Sequence, residues 1–288
     1  MDKLECFAEY LQKQGKSQNT INGYVLDMRQ YLKWFMESFG KECTELYRQN
    51  VFEYKSFLLN IRNQNAKTVN HKLSSLSKYN QYLIAENIQQ NLVITKDDMV
   101  SVQLDYASPT KVTESDIKGF IQGILETKNK RDYAIVVLLA YAGLRISEAL
   151  AVKLADLNLP AGELLIRNGK GEKQRTVILN SKVINAVKEY QLKERDSYKS
   201  AGDSPYLFVS KKRGQLDRTV VNRIFKKYNQ GHKEITPHQL RHFFCTNAIE
   251  KGFSIHEVAS QAGHSSVNTT LLYTNPDKLK LKKKMELL

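Results

Sequence analysis

Within the stretch TPHQLRHFFCT (236–246), His238, Arg241 and His242 share one helical face at about 100° per residue. Leu240, Phe243 and Phe244 take the opposite face. Thr236 followed by Pro237 is a helix start, an N-cap side chain and then a proline whose missing N–H costs nothing in the first turn. Two chemistries suit the polar face. Histidines at i and i+4 can hold zinc, but the protease motif carries glutamate after the first histidine, where this chain has Gln239, and an intervening arginine repels a cation. An arginine fork with a histidine beside it in an N-terminal turn suits an anion such as phosphate. Taken alone, this helix fits a structural ion pair better than a catalytic site.

Three other stretches bear on that choice. In YAGLRISEAL (141–150), Arg145 follows a glycine at the end of an apolar run, with Glu148 three residues on to orient it. So apolar a setting demands a partner for the arginine, and Glu148 alone would satisfy it. Lys170 sits in NGKGEKQR between two β-type runs, which excludes the ATP-binding loop, since that loop leads into a helix. A lysine at such a tip either delivers a proton, contacts a backbone phosphate or is simply solvated. In QAGHSSVNTTLLYTN (261–275), His264 precedes Tyr273 by nine residues, and Leu271 and Leu272 already supply apolar surface there.

The elements that must hold these residues are mostly helical. Apolar residues recur at helical spacing in Thr20–Phe39, Asn50–Arg62 and Lys67–Ala85, which describes a small bundle. Residues 91–111 have no period and contain Ser108-Pro109, a linker pattern. Thr113-Glu114-Ser115-Asp116 opens a further helix with a capping box. Residues 164–179 read as a hairpin, Ser181–Leu192 and Thr219–Tyr228 as helices, and Ser254 with Glu257 as the cap of a helix that Gly263 closes. A last short helix is expected over Val267–Tyr273, followed by a basic, weakly amphipathic tail. The fold class expected is mainly α with a small β-hairpin or sheet.

Composition bounds the partners. The 288 residues carry a net charge of +14, which favours polyanions. Residues 1–105 hold 13 basic against 12 acidic side chains; the other 183 hold 31 against 18, so the excess lies in the second part. No apolar run approaches the roughly 20 residues of a membrane helix. Cys6, Cys43 and Cys245 are odd in number and widely spaced, suggesting neither a disulfide framework nor a zinc module. With no signal-peptide core in MDKLECFAEY, a cytoplasmic location is expected.

Taken in order, Arg145, Lys170, His238-x-x-Arg241, His264 and Tyr273, set in GLRISE, GKGEKQR, HQLRH, AGH and the tyrosine segment, resemble the tyrosine recombinase (phage-integrase) family, of the Xer-like or transposon resolvase/integrase type. The resemblance covers about residues 113–273 by motif. Residues 1–105 look like the family's helical, SAM-like core-binding domain by architecture, and 106–288 like its mixed catalytic domain, with a tail from about 275.

This resemblance implies site-specific DNA recombination (integration, excision or resolution) through a 3′-phosphotyrosine, without metal or cofactor. Tyr273 would be the nucleophile, Arg145 and Arg241 the charge clamp, His238 and His264 hydrogen-bonding groups, Lys170 the general acid and Glu148 the support of Arg145. The implied partners are double-stranded DNA with short inverted repeats and a homo-tetramer on two sites, docked through Lys278–Leu288. In the first domain Lys67, Lys72 and Lys78 are candidate DNA contacts. A type IB-like topoisomerase and a non-catalytic DNA-binding regulator are the alternatives, and a metal-dependent nuclease is disfavoured by the lack of a carboxylate cluster.

Overall fold

The computed structural model describes residues 3–102, 112–167, 174–211, 214–229 and 234–264, with Thr270 and Glu286 beyond. The chain divides into two compact units, 1–104 and 105–288. Among the described residues no helix is long and apolar enough to cross a membrane.

The first unit is a helical bundle of α1 (Lys3–Lys13), α2 (Gln18–Phe39), α3 (Arg48–Ser56) and α4 (Ala66–Ala85). Ser17 and Asn65 cap α2 and α4 with their side chains, and α3 runs on into a π-helical turn, Phe57–Ile61. The periodic residues Met28, Tyr31, Leu73 and Tyr79 are buried together with Phe7 and Leu11 of α1.

Two sequence expectations change here. Lys72 is buried, with its ammonium 3.2 Å from Asp27, whose other oxygen accepts from Ser75 at 2.6 Å. It is a core partner rather than a surface cation, since a buried carboxylate needs a counter-charge. Lys67 does stand exposed. Residues 91–102 are not a free linker either. Ile94 is buried in the bundle, Asn70 bonds both the N–H and the carbonyl of Val100, and Asp98 takes a two-pronged Arg48.

The second unit is built on α6 (Lys130–Ala142), preceded by α5 (Glu114–Glu126), which Thr113 opens through the expected capping box with Asp116. From Ala134 to Ala140 every residue of α6 is buried. Each Ile, Val and Leu there contributes about 1.5–3 kcal/mol by leaving water. After α7 (Ile146–Ala151) come β1 (Leu157–Asn158), β2 (Glu163–Ile166) and β3 (Arg175–Ile178), an antiparallel sheet in that order. Leu164 pairs with Val177 across the predicted hairpin; the two-residue β1 is an addition to it. Among the described residues, α8 (Ser181–Lys193), α9 (Arg218–Tyr228), α10 (Pro237–Glu250) and α11 (Ile255–Ala262) follow. Helices α8 and α10 pack on α6, and α11 packs on α10 and on β3.

Candidate active site

Three helix boundaries position the site. Helix α6 ends at Gly143, whose φ of +67° lets the chain turn sharply; a Cβ there would lie 2.3 Å from Phe244 Cδ1. Two residues later Arg145 is the N-cap of α7. Helix α10 begins as predicted, Thr236 accepting from the Gln239 N–H and Pro237 following it. Helix α11 is capped by Ser254 with Glu257 and closed by Gly263 at φ +70°.

Around these ends lies a cleft of about 500 Å³, lined by Arg145 and Ile146 of α7's start, Arg218 and Asn222 of α9, Thr236, His238 and Arg241 of α10, and His264. Four of the sequence candidates therefore share one cavity. His242 is not among the lining residues; its Nδ1 lies 3.4 Å from Thr246 Oγ1, and burial, followed by the charge of His238, lowers its pKa. Arg218 and Asn222 carried no motif. Their i, i+4 spacing on a strongly amphipathic helix was the signal available for them.

One carboxylate organises the cations. Glu148 is buried and accepts from Arg145 Nη1 at 2.7 Å and from the Arg145 backbone N–H at 2.9 Å. Arg175 of β3 meets the same carboxylate with both terminal nitrogens, at 3.0 and 2.9 Å. Arg241, also buried, stands 4.0 Å from it and donates to the Gly143 carbonyl at 2.6 Å. Burial pushes the Glu148 carboxyl up, but the hydrogen bonds from Arg175 and the Arg145 backbone, with the charge of Arg175, outweigh it and hold its pKa below the ordinary range. Glu148 is thus ionised, and a single negative charge stands against three guanidinium groups.

His264 is pushed the other way. Burial first, then the charges of Arg241, Arg145 and Arg175, lower its pKa to about 4. It is a neutral imidazole near neutral pH, with Nδ1 2.8 Å from the hydroxyl of Thr270. Lys170 and Tyr273 lie outside the described residues, as do the helix expected over 267–273 (Thr270 apart) and the tail (Glu286 apart). Among the described residues no three His, Cys, Asp or Glu side chains gather in metal-binding reach.

Paired guanidiniums beside the neutral imidazole of His264 make an anion site of the kind phosphoryl-transfer enzymes use to hold developing charge. Comparison with known proteins supplies the family. Residues 110–280 match the Phage integrase family and residues 4–87 the Phage integrase, N-terminal SAM-like domain. The chain belongs to the phage integrase family and is a tyrosine recombinase. It is 60% identical over 288 residues to the TnP I resolvase of Bacillus thuringiensis, covering all of both chains, and 33% identical to tyrosine recombinase XerA of Pyrococcus furiosus, covering 98% of this chain and 92% of that one. In fold it resembles the Tn1549 transposon integrase in complex with transposon right end DNA, at a TM-score of 0.71 and 23% identity, covering 100% of this chain and 99% of that one.

Proposed function

We propose that this recombinase exchanges DNA strands between two short duplex sites through a covalent 3′-phosphotyrosine at Tyr273. The observation that carries the reading is the positive charge of the cleft, where Arg145 and Arg241 converge on one carboxylate, Glu148. Guanidinium groups never deprotonate near neutral pH, so they remain matched to the non-bridging oxygens of a phosphodiester as charge builds on them.

In this reading the Tyr273 oxygen bonds phosphorus as the bond to the 5′-oxygen breaks. The phenol proton passes to solvent through His238 or His264, and Lys170 protonates the departing 5′-oxygen. The phosphotyrosine conserves the energy of the broken diester, so a 5′-hydroxyl from a second duplex can reverse the step onto a new partner without water or nucleotide. His238 and the neutral His264 donate or accept hydrogen bonds at the phosphate and the tyrosine. No residue is assigned to bind a metal.

The first unit would clamp the duplex as the family's core-binding domain, and the basic second unit would hold the backbone. Assembly as a tetramer on two inverted-repeat sites, joined through 278–288, is part of the same proposal, as is action in the cytoplasm. Plasmids bearing two sites test it. Strand exchange yields recombined circles; relaxation of a one-site plasmid without exchange would point instead to a topoisomerase. The DNA complex of the Tn1549 integrase supports duplex DNA as the partner.

A further inference from the structure

Arg175 lies in the GKGEKQR segment with no chemistry of its own, yet its guanidinium joins three separate segments. From the first residue of β3 it gives two parallel hydrogen bonds to Glu148, 27 positions earlier in the chain. Its Nε donates to the Gln261 carbonyl at 3.2 Å, and Nη2 to the Ala262 carbonyl, also at 3.2 Å. Those carbonyls belong to the last turn of α11, where helical partners run out. The next carbonyl, of Gly263, accepts from Arg145 Nη2 at 2.6 Å, and the residue after that is His264. Only 13% of the Arg175 side chain is exposed.

These contacts act on two cleft residues at once. Glu148 fixes Arg145 only if its own carboxylate plane is fixed, and Arg175 holds both of its oxygens with a single guanidinium from a separate strand. The α11 terminus presents both His264 and the carbonyl that Arg145 uses, and Arg175 ties that terminus to the sheet. Gly263 leaves room for this: a Cβ there would stand 2.5 Å from Arg175 Cζ. Lysine keeps the charge but concentrates its donors on one atom, so it reproduces neither the fork nor the reach to a second carbonyl.

We propose that Arg175 is a positioning residue for strand cleavage, which holds Arg145 through Glu148 and His264 through the end of α11 without touching DNA. The inference rests on the strand-transfer reading above.

The test uses the full-length protein and a nicked duplex carrying a site that the protein itself selects from random duplexes. Three quantities are read for wild type, Arg175→Lys and Arg175→Gln: the rate constant of covalent adduct formation at saturating duplex, the fraction of enzyme trapped, and duplex affinity against salt. We expect both variants to lose about 10- to 100-fold in rate constant, the range typical of groups that orient a reacting side chain. The trapped fraction and the salt slope should stay at wild-type values. A lysine variant with the wild-type rate constant would overturn the proposal, since charge alone would suffice. A salt slope lowered by about one would also overturn it, because that marks a lost phosphate contact. So would a reduced trapped fraction at an unchanged rate constant, which is loss of fold alone. If neither Arg175 variant folds, Gly263→Ala keeps the arginine, displaces its guanidinium and must show the same loss of rate constant. Wild-type protein that forms no adduct on any selected duplex would overturn the strand-transfer reading itself, whereas adduct at equal rates in all variants removes only the role of Arg175.

Discussion

Arg241 donates to the backbone carbonyl of Gly143 at 2.6 Å, so the turn that presents one cleft arginine also anchors the other. Gly143 holds φ at +67°, and a Cβ would strike the Phe244 ring at 2.3 Å. Gly143→Ala should therefore cost about 1–2 kcal/mol for the left-handed conformation alone, plus the displacement of Phe244. Thermal unfolding reads the stability loss, and the adduct rate should fall with it because the acceptor for Arg241 moves. Unchanged stability would mean that the turn relaxes freely.

Arg145→Ala and Arg241→Ala should each lower covalent adduct formation by about 100-fold or more, the usual effect of removing one donor to a developing oxyanion. Duplex affinity should stay within a few-fold, because the remaining basic surface of the second unit is untouched. A filter-binding titration beside the adduct assay separates the two effects. Affinity falling in step with cleavage would reassign these arginines to ground-state binding.

Stability should decline with acid in two stages. His264 has a folded pKa of about 4 against an ordinary 6.5, so the unfolded chain takes up the proton first and stability falls as pH drops from 6.5 towards 4. Glu148, with its pKa lowered from 4.5, contributes stability that is full above 4.5 and is lost as pH falls through its folded value. Denaturant unfolding across pH 3–8 checks both; His264→Gln should shrink the upper stage to the part that His242, also lowered, contributes and should leave the lower stage intact. Glu148→Ala, which strands buried arginines, should cost about 3–5 kcal/mol near neutral pH.

Deleting residues 278–288 should impair recombination of two-site plasmids far more than binding to a single site, because the tail is assigned to contacts between protomers. Gel-shift titration with one site and product analysis with two measure the contrast. An unchanged recombination yield removes the tail from assembly.

Much of this architecture was legible in the sequence because local chemistry writes helix ends plainly. The capping pairs Thr113–Asp116, Thr236–Gln239 and Ser254–Glu257, and the turns at Gly143 and Gly263, all use neighbouring residues. What was hidden depends on distance along the chain. Arg175 reads as one residue of an alternating strand until Glu148 and Ala262, 27 and 87 positions away, come to it. Lys72 reads as a solvated helix cation, and Asp27 and Gln30, 45 and 42 positions earlier, explain its burial. Arg218 and Asn222 join the cleft through the packing of α9, which no local pattern specifies. The two-residue β1 is too short to carry any periodicity.

The central claim is covalent catalysis at Tyr273, and trapping tests it most directly. The protein is incubated in chelator with a labelled, nicked duplex bearing its own selected site, and the products are resolved under denaturing conditions. Wild type is expected to give a labelled protein band and Tyr273→Phe none, while both proteins bind the duplex equally. A band that persists in Tyr273→Phe, or cleavage that produces no protein-linked DNA, would contradict it.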